Sequence, residues 1–170
     1  FYQSLELSRV FDLSVFSKSN SPFDEKLMNS LNANFLQKQN SIFFKNKLSK
    51  ESNKMYDLSE EFWEAIKNNI KFFKDINIWA EVIYGEIQPI IEDLDYINIA
   101  CSQIPDGDFN TSTWEAWTKK LKKETGRSGK GLFLPLRLAL TGKNFGPEMP
   151  KLLNLIGKEK TIIRLSGKKG

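Results

Sequence analysis

The chain has 170 residues, a net charge of +4 and a single cysteine, Cys101, with 40 % apolar, 12 % aromatic and 27 % charged residues. That length suits one domain or two small ones, and the composition supports a packed core while excluding a disordered polyampholyte. One cysteine excludes an internal disulfide, and the absence of any histidine excludes a Ser-His-Asp triad, a His-activated thiol and a mixed Cys/His zinc site.

Residues 1–50 are the least regular part. FDLSVFSKSNSPFDEKLMNSLN, from Phe11 to Asn32, alternates short apolar pieces with turn signals. The stretch 41–56 is polar and reads as a linker. From Asp57 to Lys74, Phe62, Ile66, Ile70 and Phe73 fall at spacings of four, four and three, which predicts a helix over 57–74. Asp57 or Ser59 is its candidate cap, and Glu60 and Glu61 suit its positive end. A shorter helix is predicted over 78–86, around Trp79, Val82 and Ile83.

The segment 101–111, CSQIPDGDFNT, reads as a second linker. Ser112-x-x-Glu115 then has the form of a capping box and opens a helix over 112–125. Trp114, Trp117 and Leu121 share one face of it, Lys119, Lys120, Lys122 and Lys123 mark the other, and Gly126 is the stop. Two more helices are predicted, one from about Leu132 to Leu140 and one from Pro147 to Ile156, the latter with proline in its first turn. A last short helix is predicted at 158–165. No strand is predicted.

No stretch reaches the roughly 18 apolar residues of a membrane helix. There is no GxxxxGK[ST] loop, no GxGxxG turn and no carboxylate pair that stands apart from solvated helix faces. The sequence pI of about 9.0 is compatible with a polyanionic partner. The chain begins with Phe1, shows no signal-peptide layout, and reads as part of something longer.

GKGLFLPLRLALTGKNFGPEMPKLLNLIGKEK resembles the C-terminal signature of bacterial glutamyl-tRNA synthetases. The matching residues are Pro135-Leu136-Arg137, Ala139-Leu140-Thr141-Gly142, Gly146-Pro147 and Leu152 to Glu159. A second, N-terminal match runs through Phe11-Asp12-Leu13, Ser17-Lys18-Ser19, Phe23-Asp24, Lys26-Leu27 and Leu31-Asn32. Two ordered matches about a hundred residues apart make coincidence a poor explanation, although the likeness is thin between about 40 and 110.

The resemblance implies an all-α chain: the end of a stem-contact region over 1–50, then two helical anticodon-binding subdomains over 51–105 and 106–170. It implies tRNA anticodon recognition within a cytoplasmic, monomeric glutamate–tRNA ligase. ATP and magnesium would act in a catalytic domain outside this chain, so no cofactor and no catalytic residue is expected here. Ser17-Lys18-Ser19 lacks the Lys-Met that precedes the ATP-loop signature of class I synthetases. The partner implied is glutamate tRNA, with no membrane. The competing reading is a helical protein-interaction module without RNA binding.

The residues carried over as RNA contacts are Arg137, Lys119, Asn69, Gly146, Pro147, Met149 and Pro150. Each has a plainer reading. Arg137 on its own can also be read, less readily, as an arginine snorkelling from a partly buried helix. Gly146-Pro147 is equally a helix-start turn, the lysine run a solvated face, and the four tryptophans core. Leu134 departs from relatives that carry a polar residue there. Asn69, with Asn68 and Lys71 as neighbouring registers, stands where glutamate-only relatives carry an arginine that reads the third anticodon base. This departure raises the expectation that glutamine tRNA is also accepted.

Overall fold

A computed structural model describes residues 8–17, 19, 22–44 and 58–170. Lys18, Asp57 and residues 45–56 of the first linker lie outside them. The described residues are helical throughout, with no strand, as the sequence pattern predicts.

The irregular N-terminal stretch contains a full helix, α1 (Glu25–Gln37), capped by Asp24, whose carboxylate accepts from the Leu27 amide at 3.0 Å. Its apolar residues Leu27, Met28, Leu31 and Phe35 remain exposed, and Leu36 is the residue it sends to the core. The stripe is helical in spacing but does not serve the main core.

Ser59 caps α2 (Glu60–Ile66) by accepting from the Phe62 amide at 3.1 Å. The predicted continuation to 74 does not form. The chain tightens into a 3-10 turn over Lys67–Asn69, and Ile70 is extended. Asp75 causes much of this, because its carboxylate accepts from the Lys71 and Phe72 amides at 2.8 and 2.9 Å. Those two donors would otherwise need the helix ladder. Side chains of α1 take the neighbouring carbonyls: Gln37 donates to Ile70 O at 3.2 Å and Asn32 to Lys71 O at 2.5 Å. Ile70 is still fully buried, so the apolar periodicity marked core residues correctly but not the path between them.

α3 (Asp75–Tyr84) begins three residues before its predicted start and buries Ile76, Trp79, Ala80, Val82 and Ile83. α4 (Leu94–Ser102) occupies a stretch that the sequence pattern left blank, and it overlaps the start of the second predicted linker. Asp93 caps it, with the Tyr96 amide at 3.0 Å. Arg127 pairs with Asp93 at 2.6 Å and lies 4.2 Å above the Tyr96 ring.

α5 (Thr113–Thr125) has the predicted tryptophan face, and Gly126 ends it in the left-handed conformation. The capping box does not form. Ser112 is already in the right-handed helical region and caps nothing with its side chain. Asn110 instead forms a turn ahead of the helix, accepting from the Ser112 amide at 2.9 Å, while Thr113 Oγ1 accepts from the Asn110 amide at 2.9 Å.

α6 (Gly129–Thr141) starts earlier than predicted and holds Pro135 in its interior. Proline removes one ladder donor. Within the same turn the Leu132 carbonyl accepts the Tyr96 hydroxyl at 2.7 Å. α7 (Met149–Leu165) joins the two predicted C-terminal helices across Gly157, whose φ of 78° and ψ of 168° break the helical path. The proline in its first turn is Pro150, and Pro147 lies in the preceding turn.

α7 packs against α2, α3, α4, α5 and α6. One hydrophobic core therefore runs from Leu36 to Leu165. Trp63, Trp79, Trp114 and Trp117 all belong to it, each at most 7 % exposed.

Candidate nucleic-acid interface

The stretch that breaks at Thr141-Gly142 and restarts at Gly146-Pro147 forms a short wall between two grooves. Gly142 ends α6, and α7 restarts at Met149. Of the residues between and just after them, Lys143 and Phe145 face one groove, while Glu148, Met149 and Pro150 face the other.

The second of these, of about 510 Å³, is lined by Trp114, Phe133, Arg137, Glu148, Met149 and Pro150. Phe133 is one helical turn before Arg137 on α6 and 43 % exposed, and its ring is 6.1 Å from that of Trp114. Arg137 is half-buried. Its Nη2 donates to Pro147 O at 2.9 Å, and its Nη1 is buried without a hydrogen-bond partner. Burial holds its pKa below the usual arginine value. An unpartnered donor of a buried cation is costly, so Arg137 is held here at the expense of stability. Glu148, paired with Lys151 at 3.3 Å, puts a carboxylate in the same groove. A carboxylate repels phosphate but accepts from the amino groups of a base edge. Flat apolar faces beside one donor fork and one acceptor suit a splayed base.

The other groove, of about 430 Å³, is lined by Asn68, Asn69, Lys71, Trp79, Lys143 and Phe145 among others. Lys143 Nζ lies 6.0 Å from the Phe145 ring, and Phe145 meets the edge of Trp79 with ring centroids 6.3 Å apart.

The structure thus gathers Arg137, Met149 and Pro150 in one groove, with Pro147 as the partner of Arg137. Asn69 stands in the other groove with both of its neighbouring registers. Lys119 is exposed on α5, away from both linings. Gly146 lines neither. Its backbone, at a φ of 131°, lies against the Trp79 ring so closely that a Cβ would fall 2.0 Å from Trp79 Cη2. Phe133 and Glu148 were missed from sequence. Phe133 was legible, because it precedes Arg137 by four on the same helical face. Glu148 was not, because an acidic residue beside a helix start reads as a dipole partner.

Residues 37–168 match the family model described as the anticodon binding domain. The chain belongs to that family. It is 39 % identical over 162 residues to glutamate–tRNA ligase 2 of Beijerinckia indica, covering 95 % of this chain and 36 % of that protein. It is 40 % identical over 162 residues to glutamate–tRNA ligase 1 of Parvibaculum lavamentivorans, covering 95 % and 35 %. Its fold matches the crystal structure of glutamate-tRNA synthetase from Elizabethkingia anophelis with a TM-score of 0.72 at 24 % identity, over 95 % of this chain and 34 % of that one. The anticodon-binding domain described here therefore spans about a third of the length of these relatives. The resemblance drawn from the two sequence motifs is borne out, as is the all-helical fold. Among the described residues no helix is long and apolar enough to cross a membrane.

Proposed function

We propose that this domain reads the anticodon of glutamate tRNA as part of a glutamate–tRNA ligase, with Arg137 as the central base contact. The observation that carries this reading is that Arg137, Phe133, Trp114 and Glu148 line one groove with the start of α7. A splayed base with acceptors on its edge pairs with the Arg137 guanidinium, stacks on the apolar wall and offers its amino group to Glu148. Pro147, Met149 and Pro150 shape the pocket, and Gly146 acts indirectly by seating the wall on Trp79. Lys119, outside the grooves, suits a phosphate of the loop. The ligase as a whole would use ATP and magnesium in its catalytic part, act as a monomer, and work in the cytoplasm, where tRNA is charged. Asn69, in the second groove, would let glutamine tRNA compete with glutamate tRNA.

Binding of an anticodon stem-loop to wild-type chain, Arg137→Ala and Arg137→Lys tests the reading. The alanine variant is expected to lose about 1–3 kcal/mol of affinity, the worth of a good base contact. Its stability should stay close to wild type, because the lost Pro147 bond is offset by relief of a buried, unpartnered donor. Lysine recovers little, since a point charge does not replace a planar fork. Equal binding by a well-folded alanine variant would make Arg137 a snorkelling core residue.

A further inference from the structure

We propose that Arg164 is a positioning residue for RNA recognition: it staples the C-terminal ends of α3 and α6 to each other and so holds the 142–148 wall in place between the two grooves. The proposal rests on the RNA reading above for its functional half, while its mechanical half stands on geometry alone.

Arg164 is fully buried near the end of α7. Its guanidinium donates to main-chain oxygens. Nε donates to Gly170 O at 2.7 Å, Nη1 to Val82 O at 2.8 Å and to Leu140 O at 2.7 Å, and Nη2 to Gly85 O at 3.2 Å. Val82 and Gly85 are at the end of α3, and Leu140 is in the last turn of α6. Helix C-termini leave their last carbonyls without ladder partners and carry partial negative charge. One planar fork therefore caps two helix ends at once, which only a guanidinium has the reach and directionality to do.

Capping of α3 alone does not need Arg164. Lys160 Nζ already donates to Tyr84 O and Gly85 O, at 2.5 and 2.9 Å. Lys160 reaches neither Val82 O nor Leu140 O, so Arg164 alone bridges one carbonyl on each helix end. No Asp or Glu side chain is paired with it among the described residues, and burial pulls its pKa down to about 10, so the charge is held by main-chain acceptors alone, whose loss leaves buried carbonyls unsatisfied. What the guanidinium supplies is a fixed offset between α3 and α6. That offset decides where the wall runs. The wall leaves α6 two residues after Leu140, and it rests on Trp79 of α3 through Gly146. Lys143 and Phe145 on one side, and Glu148 and Met149 on the other, inherit their positions from it.

The test compares wild-type chain with Arg164→Met, Arg164→Lys and, as a stability control, Leu165→Ala, all well below their melting temperatures. The first readout is amide hydrogen exchange, which needs no RNA. In Arg164→Met the amides of Gly142 and Lys143 are expected to exchange at least about tenfold faster, while those of α5 stay protected, the mark of a local opening. The second is discrimination between stem-loops with the glutamate anticodon and with one anticodon base changed. One good contact gives on the order of tenfold to a hundredfold in wild type, and Arg164→Met should reduce this to about threefold or less. Leu165→Ala should keep the wild-type ratio. Arg164→Lys keeps the charge and the fold if methionine does not, and should still lose the ratio, because an ammonium does not span both helix ends. Unchanged exchange at Gly142 and Lys143 in Arg164→Met overturns the staple whatever the RNA does. Full rescue by lysine, or an equal loss in Leu165→Ala, overturns the positioning role. Failure of the wild-type chain to bind either stem-loop overturns the RNA reading, leaving the exchange result to judge the staple by itself.

Discussion

Replacing Gly146 with alanine adds one methyl group where the structure has no room for it. The new Cβ would lie 2.0, 2.7 and 2.9 Å from three atoms of the Trp79 six-membered ring. Carbon atoms in contact prefer about 3.5–4.0 Å, so the ring must move by roughly 1.5 Å. Trp79 is 2 % exposed and packed in the core, where such overpacking costs about 1–3 kcal/mol. The backbone adds its own term: a φ of 131° is a region that side-chain-bearing residues rarely enter, at about 1–3 kcal/mol. Together these give a loss of roughly 2–6 kcal/mol, a large part of the about 5–15 kcal/mol that a domain has in total. For a chain of this size the melting temperature should fall by about 5–20 °C. Thermal unfolding followed by far-ultraviolet circular dichroism measures the loss. Tryptophan fluorescence of the folded variant reports whether the Trp79 environment has changed. Trp79→Phe provides the decisive comparison, because phenylalanine lacks the outer carbons that the methyl meets. In the double variant the clash is relieved and the backbone strain is not, so the two changes should couple by about 0.5–3 kcal/mol. A Gly146→Ala chain melting within about 1 °C of wild type, or additive effects in the cycle, would refute the claim that glycine is there for the tryptophan.

Burial pushes the Tyr96 phenol up to about 12, with the nearby Arg127 guanidinium pulling the other way. A raised folded-state pKa means that its contribution to stability is complete below pH 10 and lost between pH 10 and 12. Absorbance titration of the folded chain should show one late tyrosine that Tyr96→Phe removes, and a Tyr96 that titrates with the exposed ones would contradict the burial argument. Asn69→Arg, made in a full-length ligase containing this domain, should raise discrimination against glutamine tRNA by about 1–3 kcal/mol, because arginine offers only donors where asparagine offers both a donor and an acceptor. Rejection of glutamine tRNA by orders of magnitude in the wild-type enzyme would end that reading.

Period and punctuation in the sequence were enough to find the core. Phe62, Ile66, Ile70, Trp79, Trp117 and Leu121 all lie where their spacing put them, and Gly126 and Gly142 close helices as their type suggests. Capping and helix ends were less legible wherever a neighbouring side chain engaged the backbone. The Ser112 amide is engaged by Asn110 and its side chain caps nothing, and the helix predicted to 74 broke because Asp75 offered its carboxylate to two amides that the ladder would have used. α4 was overlooked because nine residues with a short buried face give little periodic signal. The apolar stripe of α1 was legible only in spacing, because its exposure depends on what packs beside it.

For the candidate site, the string around Arg137 named the residues, and tertiary structure decided what each one does. Arg137 and Pro147 meet because α6 and α7 are joined by a short wall. Gly146, read from sequence as a cradle for bases, is a bearing surface for Trp79, which lies 67 residues earlier in the chain. Arg164 carried no signal at all as one of four basic residues in a mixed helix, with Lys151, Lys158 and Lys160. Its partners are main-chain carbonyls up to 82 residues away, and a carbonyl is the same in every residue type, so no pattern of side chains announces it. Side-chain period selects which faces turn inward. The contacts between helix ends, made through backbone groups common to all residues, exist only once the chain is folded.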